Sequence, residues 1–283
     1  MISIIICCRT QTISKDLSEN IKKTVGCDYE LIIIDNSDNR FSIFEAYNKG
    51  IYQSTSPYLC FLHDDIKIYS VGWGNTIIRL FNENQKIGLI GVAGSKIKTK
   101  MPSAWWDCPE DQKVINIIQH FPNKQKEKWK FGFENSQNIE VVTIDGVFMA
   151  LRKDQRICFN TKISGFHNYD LNISLEYKRY GYQIMVTNEI LLEHFSIGTL
   201  NEAWVDSNFQ LHSFYKNILP LSILKSKINK EIEITNAIRF INQSLKFKKN
   251  KLAYSTWRKL FLLNPGSKYH IQFWKTMLKN RIC

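Results

Sequence analysis

"YLCFLHDDIKIYS", residues 58–70, decides the fold. Tyr58 to Leu62 is an apolar run of strand length, and it stops abruptly at His63, Asp64 and Asp65. A run this uniformly apolar suits a sheet covered on both faces, whose strand ends open into ligand crevices. Two adjacent carboxylates at such an end repel each other unless a cation stands against them.

Working outward, "ISIIICC" (2–8), "YELIIIDN" (29–36) and "IGLIGVAG" (87–94) read as further buried strands. Thr12–Thr24, with Ile13, Leu17 and Ile21 on one face, predicts a helix, as do Ser42–Gln53 and residues 71–81. This alternation predicts an α/β fold with a parallel sheet, in which "CCRT", "DNSDN" and "HDD" converge on one crevice. Residues 95–140 read as irregular, with "PSAWWDCPED" (102–111) their most distinctive piece. "VVTIDGVFMALRK" (141–153) reads as one strand, and residues 166–186 as a helix followed by a strand. From about Trp204 helical patterns take over. Ile234, Ala237, Ile238, Ile241 and Leu245 line one face; His270, Phe273, Trp274, Met277 and Leu278 line another. The expected division is a body of residues 1–203 and a mainly helical extension of residues 204–283.

The 283 residues suffice for a sizeable core. The seven cysteines form no CxxC pair and no zinc-like spacing, so a reducing cytosol is the simplest expectation. No apolar run has the length of a membrane span, and "MISIIICCRT" reads as a first strand rather than a signal peptide. The net charge of +12 is concentrated at one end. From Lys216 to Cys283 there are 15 Lys/Arg and two acidic residues, against 23 basic and 24 acidic residues before them. A near-neutral body with a basic tail points to an anionic partner surface.

The commonest nucleotide signatures are missing: "CCRTQT" follows the first strand where a dinucleotide fold needs GxGxxG, and no GxxxxGK[ST] loop occurs. "ISIIICCRT", "YELIIIDNSDN", "FLHDDI", "IDGVFMALRK" and "YDLNISLEYKRYGYQIMV" occur in this order over roughly residues 2–198. Together they resemble the family 2 glycosyltransferases of GT-A fold, and more narrowly bacterial members whose DxD element reads HDD. The resemblance implies a Rossmann-like mixed sheet flanked by helices, with the helical extension outside it.

It also implies roles. The last carboxylate of DxD, here Asp65, would hold Mn²⁺ or Mg²⁺ on a nucleoside diphosphate, since hard ions prefer oxygen ligands. His194 would be the second metal ligand. His63 stands where the first aspartate usually faces the ribose, with Asp64 between them. Arg9, Thr10 and Asp35 would surround the nucleotide, although an Asx turn accounts equally for Asp35. Asp145 and Gly146 would meet the donor sugar or the acceptor. Asp170 would be the base, taking the proton of the attacking hydroxyl opposite the leaving diphosphate. Tyr169 and Asn172 replace two of the family's acidic residues, which concentrates the base role on Asp170. Trp106, beside Trp105, is the candidate acceptor contact.

The implied activity is inverting, metal-dependent transfer from a nucleotide-sugar, UDP first, to a saccharide acceptor in bacterial surface-glycan synthesis of capsule or O-antigen type. The basic extension would hold the enzyme at the anionic inner face of the cytoplasmic membrane, beside a lipid-linked acceptor. Three other readings fit the sequence less well. A sugar-nucleotide transferase would want a glycine-rich basic loop where "CCRT" stands. A nucleic-acid-binding tail would leave Tyr254, Trp257, Tyr269 and Trp274 free, yet their helical spacing suits core or membrane contact, and no nucleic acid is expected. A catalytically dead glycan-binding relative would fit the departures at His63 and Asn172, but not the retention of Asp65, Asp145, Asp170 and His194.

Overall fold

The computed structural model describes residues 1–121, 124–223 and 228–282. The first third alternates β1 (Ile2–Cys8), α1 (Lys15–Thr24), β2 (Tyr29–Asp35), α2 (Ile43–Gln53), β3 (Tyr58–Leu62), β4 (Ile66–Ile68), α3 (Trp73–Glu83) and β5 (Ile87–Gly91). Short strands follow: β6 (Ala93–Ser95) and β7 (Ile97–Lys98), then the longer β8 (Lys113–Phe121) and β9 (Lys124–Phe131). Next come β10 (Asn138–Val141), β11 (Thr143–Ile144), β12 (Phe148–Arg152), α4 (Tyr169–Arg179), β13 (Gln183–Thr187) and β14 (Leu192–His194). The chain ends with α5 (Glu202–Phe214), β15 (Leu221–Ser222), α6 (Lys230–Lys246), α7 (Asn250–Leu263) and α8 (Tyr269–Ile282).

The main sheet has seven strands in the order β10-β13-β5-β12-β3-β1-β2. β1 pairs in parallel with β2 and β3, as the apolar runs predict. The sheet is nevertheless mixed, because β12 inserts antiparallel between β3 and β5. Ile2, Ile4, Ile5 and Ile6 are buried, and α2 packs closely enough on β1 that a Cβ at Gly50 would lie 2.4 Å from Ile5. Serine N-caps start both flanking helices: Ser14 accepts from Leu17 N, and Ser42 forms a capping box with Glu45.

Three sequence expectations change. The run 87–94 is two strands, because β6 leaves the main sheet at Val92 for a second one, ordered β11-β6-β8-β14-β4. Residues 141–153 are likewise broken, with β11 in the second sheet and β12 in the first, and Asp145 lies in the break. Residues 95–140 are not simply irregular, since β8 and β9 form a long antiparallel ribbon in them. β9 reads "KQKEKWKF", and Lys126, Lys128 and Lys130 are exposed, so it lacks the apolar signature of a core strand.

The extension has its own core, with Ala237, Ile241, Leu245, Ala253, Leu260, Phe273 and Met277 packed around Met101. The expected apolar face of α6 is present; on α8, Phe273 and Met277 are buried while Trp274 and Leu278 face out. α5 packs into the main body through Leu211, and beyond it Tyr215 donates its hydroxyl to Glu176.

Candidate active site

The ends of β1 and β3 open on a crevice of about 200 Å³, lined among others by Arg9, Asn36, His63, Asp64, Asp65 and Tyr169. Past the end of β3 the carboxylates part. Asp64 meets the Arg9 guanidinium at 3.1 Å, while Asp65 Oδ1 lies 3.7 Å from His63 Nδ1 and 3.6 Å from His194 Nε2. The two ring nitrogens are 3.2 Å apart. The adjacent carboxylates therefore meet different partners.

His194 arrives through the second sheet, whose register sets it opposite Ile66 of β4 and Gln119 of β8. Gln119 Nε2 donates to Ser196 O at 2.8 Å, which leaves its Oε1, 3.2 Å from His194 Nδ1, to accept the ring N–H. His194 Nε2 then faces Asp65. On the other imidazole, His63 Nε2 meets the Tyr169 hydroxyl at 2.5 Å, leaving Nδ1 turned inward.

Burial, and then His194, push the His63 pKa down, favouring a neutral imidazole. Burial alone would raise the Asp65 carboxyl, but His194, Ser196 and His63 outweigh it and hold the pKa at about 2.

The three inward atoms form a triangle of sides 3.2, 3.6 and 3.7 Å. Neighbouring donors on an ion with bonds of about 2.1 Å lie about 3.0–3.4 Å apart, so a divalent cation fits after a slight contraction. Two imidazoles and one carboxylate suit Mn²⁺ and its first-row neighbours better than Mg²⁺. His63 thus lines the crevice and also completes a ligand set that the sequence assigned to Asp65 and His194 alone.

Beside the triangle lie Asp145, whose charge acts on His63, and Asp170, whose charge acts on Tyr169. Asp145 accepts Val147 N at 2.8 Å and Trp105 Nε1 at 2.7 Å. Asn168, left-handed at φ 62°, starts α4 and is held from α5 by Ser207 at 2.6 Å and Asn208 at 2.9 Å. This fixes Asp170 in the first turn, where burial and the Asp145 charge push its carboxyl up to about 7. A carboxyl so poised can take a proton from a hydroxyl near neutral pH.

Other expected residues turn elsewhere. Asp35 accepts from Ser37 N at 3.0 Å and Ser37 Oγ at 2.7 Å, which is the Asx-type alternative, while Asn36 lines the crevice. Thr10 donates to Thr12 O. At Gly146 the close approach is made by Tyr169, whose hydroxyl lies 2.3 Å from where a Cβ would stand. Trp106, the expected acceptor contact, is half-exposed and lines a second cavity rather than the crevice. Gln119, Tyr169 and Trp105 are the residues of the site that sequence patterns did not single out as contributors. The last had a signal in the unusual "WW" pair.

A family model described as Glycosyltransferase like family matches residues 3–217. The chain belongs to this glycosyltransferase family. Among solved structures, GalNAc-T7, determined with UDP, GalNAc and Mn²⁺, is 9% identical at a TM-score of 0.53. That alignment covers 90% of this chain and 55% of GalNAc-T7, and it bears on the GT-A fold. A197 from STIV is 13% identical at a TM-score of 0.40, over 69% of this glycosyltransferase and 86% of A197. No curated protein matches this glycosyltransferase in sequence.

Proposed function

We propose that this glycosyltransferase is inverting and metal-dependent, moving a sugar from a nucleoside-diphosphate sugar to a saccharide acceptor. The observation that carries the reading is the His63–Asp65–His194 triangle at the strand-end crevice, with the raised Asp170 carboxyl near it. These three residues would hold Mn²⁺ or a similar ion, which supplies charge neutralisation to a leaving diphosphate. The crevice would take the nucleotide, with Arg9 and Asn36 on its wall. Asp170 accepts the proton of the attacking hydroxyl as the new glycosidic bond forms. Asp145 keeps the Asp170 carboxyl basic and, tied to Trp105, stays fixed while the acceptor enters. UDP is the first nucleotide to test, because it is the one bound with Mn²⁺ in GalNAc-T7.

The acceptor we favour is a growing, lipid-linked saccharide of a bacterial surface glycan, met at the inner face of the cytoplasmic membrane. No helix among the described residues is long and apolar enough to cross a membrane. The extension supports a peripheral attachment. From Ile234 onward the sequence holds eleven Lys/Arg and no acidic residue. Leu262 and Ile271 are 83% and 65% exposed, and Tyr254 packs on the half-exposed Trp274. Aromatic and aliphatic side chains ringed only by cations are the composition of an interfacial helix pair.

The test is a screen of UDP-, GDP- and dTDP-sugars for hydrolysis with and without Mn²⁺. Metal-dependent hydrolysis of one donor is expected, and turnover unaffected by chelation would refute the metal reading.

A further inference from the structure

The larger of the two described cavities, about 340 Å³, is not the nucleotide crevice. It lies where the 102–113 loop meets α5 and α6, and its volume falls within the range of small-molecule sites, about 300–1,000 Å³. One wall is the indole of Trp106, 40% exposed, braced edge-on by Trp105 at 5.6 Å and 88°. The floor is Trp204 and Phe240, both buried. Around these stand polar groups whose charges cancel: Asp107 with Arg239, and Glu110 with Lys113. Gln243 also lines the cavity, its amide oxygen tucked behind the surface without a hydrogen-bond partner among the described residues.

A flat aromatic face ringed by forked polar side chains suits a ligand with an apolar C–H face and several hydroxyls. The cancelled charge disfavours phosphate and nucleic acid. We infer that this cavity binds an uncharged sugar unit of the acceptor, at a position away from the reacting hydroxyl. The inference rests on the glycosyltransferase reading and deepens it.

Two further observations link the cavity to the chemistry. Trp105 bonds Asp145 while its neighbour Trp106 lines the cavity, so one dipeptide spans from the carboxylates to the bound sugar. α6 also clamps the loop. Glu233 accepts Lys100 N at 2.7 Å and Met101 N at 2.9 Å, and Asn236 donates to Thr99 Oγ1 and Asp107 O. The extension therefore helps to build the acceptor side, besides any role at a membrane.

The test uses the full chain with UDP and Mn²⁺. Methyl glycosides of glucose, galactose, mannose, N-acetylglucosamine and N-acetylgalactosamine are the probes, with methyl glucuronoside as the charged control. Saturation-transfer NMR detects binding, and tryptophan fluorescence gives the Kd. At least one uncharged glycoside should bind, about tenfold more weakly after Trp106→Ala and after Gln243→Leu, which remove a stacking face and a hydrogen bond. UDP–Mn²⁺ affinity, measured alongside, should not change in either variant, and it also reports folding. No binding by any uncharged glycoside, equal binding by both variants, or preference for the glucuronoside overturns the inference. Loss of UDP–Mn²⁺ binding in the unaltered chain, with glycoside binding intact, would instead sink the nucleotide-sugar reading and leave the cavity standing.

Discussion

At the scale of single residues, the account turns on the environments of a few side chains. Asp170 is protonated in the folded protein up to pH about 7, whereas an unfolded aspartate ionises near 3.8. Transfer should therefore rise with pH through about 7 and then level off, as expected of an ionised base. The raised pKa gives a stabilising contribution that is full at low pH and is lost as pH rises towards 7. Asp170→Asn removes that loss, so it should abolish transfer by about 10²–10⁴-fold while raising Tm at pH 8. A variant with unchanged transfer would move the base to Asp145. Gln119 is a second case. Gln119→Leu frees the His194 tautomer and should weaken Mn²⁺ binding about 10–100-fold, with Gln119→Glu restoring much of it. Calorimetry with Mn²⁺ alone would read both. Asp65 stood out as a carboxylate at the end of an apolar strand and His194 came from the family resemblance, and the fold brings the two within 3.6 Å. Gln119 was not, because an amide in "INIIQHF" looks like any polar residue until the register of β8 and β14 sets it opposite His194.

At the scale of elements, undiluted apolar runs carried the sequence, even at β2, a half-buried edge strand, and diluted ones did not. β1, β2, β3 and the helices between them have clear apolar patterns, and they stand where those patterns put them. The β8–β9 ribbon did not read as strands because the solvent-facing lysines of β9 dilute its apolar signal. The breaks at Val92 and Asp145 were hidden for another reason. Both flanking pieces are apolar, and only pairing decides that they join different sheets. α6 is an element whose contacts outrun its pattern. Its Glu233 holds two backbone N–H groups of the loop that leads to Trp105 and Trp106. Glu233→Ala should cost about 1.5–3 kcal/mol, the range for hydrogen bonds to a charged group, read from urea unfolding. A loss under 0.5 kcal/mol would mean that the clamp is not tight.

At the scale of the whole molecule, the charge division read from the sequence acquires a shape. Of the lysines around 246–251, Lys249 is committed inside the fold, 2.6 Å from Glu202 and 2.7 Å from Asp206. The surface left for a bilayer is the outer side of α7 and α8. Leu262→Glu with Trp274→Glu should abolish co-sedimentation with acidic vesicles, and salt should weaken the unaltered protein's binding. Co-sedimentation unchanged by the double substitution would exclude this face as the anchor. On these two proposals, cavity and anchor share one extension that is both basic and rich in aromatic residues. The central claim, however, concerns the body: a divalent ion held at the end of β3 binds a nucleoside diphosphate. Calorimetry of UDP, GDP and dTDP against the unaltered chain and Asp65→Ala, each with and without Mn²⁺, tests it most directly. The account predicts that Mn²⁺ strengthens binding of one nucleotide to the unaltered chain and has no effect on Asp65→Ala at equal Tm. Equal metal-dependent affinity in the two proteins would contradict it.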